Sequence, residues 1–309
     1  MNRLAGIIVA AIGLVVAILS VTKVVPYLTQ TGIVMILVGG LIIGLSFIDK
    51  PDAENTERMS TGATLGNIFF APTDVFRNLR RHPRFLVALL IASVLSTVFA
   101  NLFVNRLTPE RVTNYAIDKT LEMPLLANNE QAKQQVETGR AEAIAQAKSP
   151  IARAGQAVSG VGMAIFGYSL LALIFFLFSM IMGGKMNFWQ AFATAVYAYF
   201  PVSVIRSVLN TILLFLKDPS EIHPIMGQQT LIQDNLNFLV VPAEHPVIFT
   251  ILGAFSLLGL YWVWLNATGL KNAGEKVSGT AAWGASIGVF VLLLIFGAAM
   301  AFVFPSFIS

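Results

Sequence analysis

Seven apolar stretches set what this chain can fold into, each close to the length that crosses a bilayer. They run over roughly 4–22, 31–48, 85–105, 157–182, 188–215, 246–270 and 280–304. About 20 apolar residues cross the hydrocarbon as a helix. No water is there to satisfy backbone groups, so only helices and closed barrels can span. The class this predicts is all-α: a polytopic helical membrane protein with about seven transmembrane helices. Composition agrees, since 12% of residues are charged and 56% hydrophobic, against about a quarter charged in a soluble domain. The chain has no cysteine, which excludes disulfides, thiolate metal sites and cysteine nucleophiles. Its net charge of +4 reads as orientation and headgroup contact, with no nucleic-acid partner.

The first run, behind Arg3, has the flank of a signal peptide. It lacks a small-x-small cleavage site, and a second run follows after eight residues, so a retained hairpin is expected. Lys50, Arg58, Arg77, Arg80, Arg81 and Arg84 lie between runs two and three. Lys185 follows run four, and Lys271 and Lys276 follow run six. Positive charge favours the cytoplasmic side, which places the N-terminus inside and the C-terminus outside.

Residues 49–66 read as a polar cytoplasmic linker. Next, Pro72 is placed to open a helix. On it Val75, Phe76 and Leu79 share one face, with Arg77, Asn78, Arg80 and Arg81 largely off it. This predicts a short interfacial helix, its apolar face in the headgroup boundary and Arg77, Arg80, Arg81 and Arg84 on anionic lipid headgroups. The bland alternative is an ordinary basic flank. The 106–156 loop opens with a Thr108 cap, Pro109 and Glu110, and its second half is rich in Ala, Gln, Glu and Lys. Two short helices over the outer surface are expected, either solvated or docking a partner. Loop 216–245 carries Asp218, Glu221, His223, Asp234, Glu244 and His245, but at no metal-ligand spacing.

No phosphate-binding glycine loop, H-E-x-x-H or G-x-S-x-G occurs. No catalytic residue, cofactor or metal is therefore expected, and the chain reads as a non-enzyme. Arg206 is the one ionisable residue well inside a span. It either snorkels to the interface or binds something. Pro201 cannot donate a backbone bond and frees the carbonyl of Tyr197, so this region should be packed by protein, with Tyr197 and Tyr199 as buried polar candidates. Gly40 with Gly44, and Gly284 with Gly288, are small-residue pairs that permit close helix contact.

"GGKMNFWQAFATAVYAYFP", with Gly183, Gly184, Lys185, Tyr197 and Pro201, resembles the Yip family of Ypt/Rab-interacting membrane proteins. "FFAPTDVFRNLRRHPRFLVALLIASV" is similar to the segment that leads into that family's first span, and "LYWVWLNATGLKNAGEKVSGTAAWGASIGVF" to its last hairpin. The resemblance covers roughly 67–305. It implies a five-span domain over 67–309, preceded by an extra transmembrane hairpin over 1–48 and the linker. The hairpin and the long 106–156 loop set the chain apart from eukaryotic members and place it in a bacterial branch, in an inner membrane. Rab binding is not carried over. The reading that follows is a scaffold, an accessory subunit of a membrane complex such as an ABC-type exporter, or a membrane-organising protein. Its partners would be the bilayer, anionic headgroups, and another membrane protein or itself. Gly183, Gly184, Lys185, Tyr197, Tyr199, Pro201 and Arg206 would serve packing or partner contact. The alternative is a transporter or channel for a small molecule or lipid that uses Arg206.

Overall fold

The computed structural model describes residues 3–48, 57–124, 126 and 129–308. Lys50 and residues 51–56 of the polar segment lie outside these. The described residues are helical, with no strand. The helices are α1 (Arg3–Val21), α2 (Thr29–Leu45), α3 (Thr61–Phe70), α4 (Pro72–Arg81), α5 (Leu86–Leu107), α6 (Pro109–Leu121), α7 (Glu130–Thr138), α8 (Arg140–Lys148), α9 (Pro150–Ile181), α10 (Phe188–Leu216), α11 (Met226–Gln229), α12 (Pro246–Ala254), α13 (Leu257–Ala273) and α14 (Gly279–Val303). Five of them, α1, α5, α9, α10 and α14, are each long and apolar enough to cross a membrane. The α12–α13 pair passes the same test only jointly, and α2 is a shorter apolar helix. The chain is an all-α polytopic membrane protein.

The chain divides into two compact units. The first comprises 1–94, 150–203 and 262–289. In it α1 and α2 form a hairpin closed by two glycine pairs. A Cβ on Gly39 would lie 2.6 Å from the Ala10 nitrogen and 2.7 Å from the Gly6 carbonyl oxygen; one on Gly32 would lie 2.7 Å from the Gly13 oxygen. Backbones can approach this closely only where side chains are absent. Gly40 and Gly44, singled out in the sequence, face open space, and Gly284 and Gly288 make ordinary contacts with Met182 and Phe178. Spacing alone does not say which face of a helix meets its neighbour. The hairpin turn is tied by the Ser20 hydroxyl, which accepts from the Leu28 N–H at 2.9 Å.

The hairpin docks on α9. Gly155 faces Leu28 and Thr31, Gly162 faces Val34 and Val38, and the Ser159 hydroxyl lies 3.2 Å from that of Thr31. The first half of α10 forms the buried core of this unit, with Trp189, Phe192, Tyr197, Pro201 and Val202 enclosed. Alanines at 191, 193, 195 and 198 let neighbouring helices close on it. The helix runs unbroken through Pro201.

Two expectations change here. α3 starts at Thr61, inside the segment read as linker, because the Ser60 hydroxyl caps it by accepting from the Ala63 N–H at 3.1 Å. The apolar face of α4 is not in the headgroup layer. Val75, Phe76 and Leu79 are fully buried in protein, and the Phe76 ring packs against Gly269 of α13. An amphipathic pattern shows that a face is buried, not what covers it.

The second unit comprises 95–149, 204–261 and 290–309. Its core is Phe99, Phe103, Leu107, Leu214, Ile222 and Leu231. The 106–156 region holds three short helices and the start of α9, not two helices, because Gly139 separates α7 from α8 and Pro150 opens α9. The span expected over 246–270 is broken after α12 and bends by 52°. At the break, α13 is capped from a distance. The Asp234 backbone carbonyl accepts from the Leu257 N–H, and its carboxylate accepts from the Leu258 N–H, both at 3.0 Å. The Ser256 hydroxyl accepts from the Gly259 N–H at 2.9 Å. A helix can start within an apolar region only where its first N–H groups find such acceptors.

Candidate functional site

The segment Gly183–Gln190 turns α9 into α10, and three other segments meet it. α9 ends with Gly183 in a left-handed conformation, φ 73°. The Gly184 N–H donates back to the Ser179 carbonyl at 2.7 Å, a C-terminal cap that satisfies an orphan carbonyl. Gly184 is needed for a second reason: a Cβ there would meet the Ser179 hydroxyl at 2.7 Å and Val277 at 3.1 Å. Gly183→Ala is expected to destabilise by about 1 kcal/mol, from the left-handed strain alone, as read by the thermal midpoint in detergent.

α10 starts on a reciprocal cap. The Asn187 side chain accepts from the Trp189 N–H, and the Gln190 side chain accepts from the Asn187 N–H, both at 2.8 Å. The Gln190 amide also donates to the Arg80 carbonyl at 2.8 Å, the C-terminal end of α4. Arg80 in turn donates to the Glu275 carbonyl at 3.3 Å, in the turn between α13 and α14. The Glu275 N–H donates to the Lys185 carbonyl at 2.8 Å, and the Lys185 ammonium lies 3.6 Å from the Glu275 carboxylate. The Trp189 indole donates to the Ile48 carbonyl at 3.0 Å, just beyond α2. Phe85 stacks on Trp189 and meets Phe192 edge-on. The α9–α10 turn, the α13–α14 turn, the end of α4 and the end of the hairpin thus converge at one end of this unit. That places Lys185, Glu275 and Arg80 together.

The four arginines have separate uses. Arg77 is exposed beside Asp74. Arg80 bonds within this corner. Arg84 donates to the Met59 carbonyl, to the Thr64 hydroxyl at 2.8 Å and to the Asn78 side chain at 3.4 Å, pinning α3 to α4. Burial, and then the Arg58 charge, lower the Arg84 pKa from its usual value, against an opposing pull from Tyr197. Arg81 lines a cavity of about 620 Å³ in the corner, with Lys185, Glu275, Asn187 and Gln190 as its other polar walls and Ile48, Leu173, Phe176, Met186 and Phe188 as its apolar ones. The sequence reading missed Gln190, Asn187, Trp189 and Glu275. The Asn-x-x-Gln spacing ahead of an apolar run was a readable cap; the role of Glu275 depends on partners far away in sequence.

Tyr197 is buried, and Tyr199 is half-buried with its ring 5.9 Å from that of Tyr168. In the second unit, Arg206 is half-buried, and its Nε has no hydrogen-bond partner among the described residues. It does not line that unit's own cavity of about 1010 Å³, which His223, Lys217, Phe249 and Phe304 help to enclose. In the 216–245 loop, Asp234 serves the start of α13, and Asp218 and His223 serve other hydrogen bonds. Asp218 caps the turn at Ser220, and the His223 ring lies 3.0 Å from the Tyr115 hydroxyl while its Nδ1 accepts from the Ile225 and Met226 N–H groups. Among the described residues, no three His, Asp or Glu side chains gather as a metal set.

The α6–α8 layer is cross-braced. Arg140 of α8 donates to Asp118 at 2.7 Å and Asn114 at 3.1 Å on α6, and to Glu137 at 2.7 Å. The bonds to Glu137 and Asp118 raise its pKa further above the arginine norm. Lys148 meets Glu110 at 2.5 Å, and that bond holds the Glu110 carboxyl below the usual range. Arg111 donates to the carbonyls of Pro219 and Ile222, at 2.5 and 3.1 Å, fixing α6 to the neighbouring loop.

No curated protein and no solved structure matches the chain. The Yip1 domain matches residues 66–301, which takes in the basic helix, the glycine-lysine corner, the α13–α14 turn and the braced layer while leaving the docked hairpin outside. The chain belongs to the Yip1 domain family.

Proposed function

We propose that this integral membrane protein acts as a non-enzymatic scaffold or accessory subunit, presenting the α6–α8 layer to a membrane-protein partner. The braced layer is the observation that carries this reading. A solvated loop has no need of a guanidinium shared among three helices' side chains, whereas a docking surface gains from ordering its side chains before binding. Conserving the order of the corner has the same logic: its polar groups tie segments to one another, with Arg80, Gln190 and Trp189 each donating to a backbone carbonyl. The basic corner fits the cytoplasmic side and the α6–α8 layer the outside of a bacterial inner membrane. An exporter complex is one partner of suitable kind.

The test is crosslinking in native membranes, followed by identification of stoichiometric partners. Replacing 130–148 by a Gly/Ser segment of equal length is expected to abolish capture while the bundle still extracts as a folded protein. Undiminished capture by that variant would remove the layer from the interface. A second reading, transport of an anionic solute, is favoured by the unpartnered Nε of Arg206. Loss of anion flux in vesicles on Arg206→Leu would support it over the scaffold.

A further inference from the structure

The corner cavity runs between two environments. Among the described residues, its polar end holds the cations Arg81 and Lys185 beside the carboxylate of Glu275. Its apolar end reaches up α9 to Phe176 and Leu173, which precede the helix end at Ile181 by five and eight residues. At 1.5 Å per residue, that is a depth of ~12 Å below the corner. Leu173 is 43% exposed on the face that α9 turns outward, so this wall opens sideways toward the acyl chains. A free phosphate or a soluble metabolite would use the cations and leave the apolar wall unmatched. A molecule with an anionic head and a hydrocarbon tail matches both.

We propose that this cavity holds one anionic phospholipid. Its phosphate would lie between Arg81 and Lys185, drawing Lys185 away from Glu275, and one acyl chain would lie along Phe176 and Leu173. Asn187 and Gln190 keep their backbone duties and wall the polar end. Ile48 lines the same cavity, so the lipid touches the end of the hairpin and the α9–α10 turn at once and helps hold the hairpin in place. The proposal stands apart from the scaffold reading, since it concerns a different unit and no partner protein.

Full-length protein, stripped of lipid in a maltoside detergent, is titrated with phosphatidylglycerol, phosphatidylcholine and glycerol 3-phosphate. Bound lipid is counted by native mass spectrometry, and the thermal midpoint is followed. The expected result is a single retained phosphatidylglycerol and a raised midpoint, with phosphatidylcholine at least tenfold weaker and glycerol 3-phosphate without effect. Arg81→Gln and Lys185→Gln should each weaken phosphatidylglycerol about tenfold, while Arg77→Gln, at the exposed pair with Asp74, should not. Leu173→Trp keeps both charges and fills the tail channel, so it should also lose the lipid, which guards against a charge variant that merely misfolds. Equal weakening by Arg77→Gln would mean a diffuse surface charge and overturn the site. A midpoint shift with glycerol 3-phosphate equal to that with lipid would overturn the lipid assignment. Binding unchanged in both Arg81→Gln and Leu173→Trp would overturn the cavity.

Discussion

Gly39→Leu is expected to force α1 from α2 and destabilise the chain by about 3 kcal/mol, whereas Gly40→Leu, one residue on, should leave stability unchanged. A Cβ at Gly39 meets main-chain atoms of Ala10 and Gly6 inside 3 Å, which no rotamer change can relieve, while one at Gly40 meets nothing within 4 Å. Splaying the hairpin also shifts Thr31, Val34 and Val38, which face α9 through Gly155, Ser159 and Gly162. The chain has no cysteine, so a Thr31→Cys/Ser159→Cys pair gives a clean readout. It should oxidise to a crosslink in the Gly40→Leu background and fail to do so with Gly39→Leu. Equal crosslinking in both would mean that the glycine seam does not set the position of the hairpin.

The second large effect is expected at Asp234. Asp234→Ala removes the carboxylate that receives the Leu258 N–H and perturbs the carbonyl that receives the Leu257 N–H. Removing a charged acceptor from a helix start costs about 2 kcal/mol. Converted at 1.4 kcal/mol per tenfold, the first amides of α13 should exchange hydrogen roughly 30-fold faster. Asp234→Asn keeps an acceptor oxygen and should restore most of the protection. If Asp234→Ala left these amides as slow as before, Ser256 alone would be enough to start the helix.

Of the seven expected spans, five are single helices long enough to cross, and these were legible because lipid imposes one requirement on every residue in a run such as 280–304. The break at 255–256 was not legible. Phe255 and Ser256 are not strong helix breakers, and the acceptor that makes the break tolerable sits 22 residues earlier at Asp234. The same limit governs the site. Gly183, Gly184 and Pro201 declare themselves by backbone chemistry, and Asn187 with Gln190 by spacing. Arg80 declares only a charge, since the Glu275 carbonyl it reaches is 195 residues away. α4 shows the limit most plainly. Its stripe of Val75, Phe76 and Leu79 read as the headgroup-facing side of an interfacial helix, with an ordinary basic flank as the alternative, and it faces protein.

The docking of the hairpin on α9 imposes an order on biogenesis. α1 and α2 can zip together as soon as both have left the ribosome, yet the ledge that receives them, from Gly155 to Gly162, is made more than a hundred residues later. At typical translation speeds of about 5–20 residues per second, the paired helices wait roughly 5–20 s in the bilayer. Through that interval Thr31 and Val34 look out on lipid as an unfilled seat, and whatever occupies it must leave before the nascent α9 arrives.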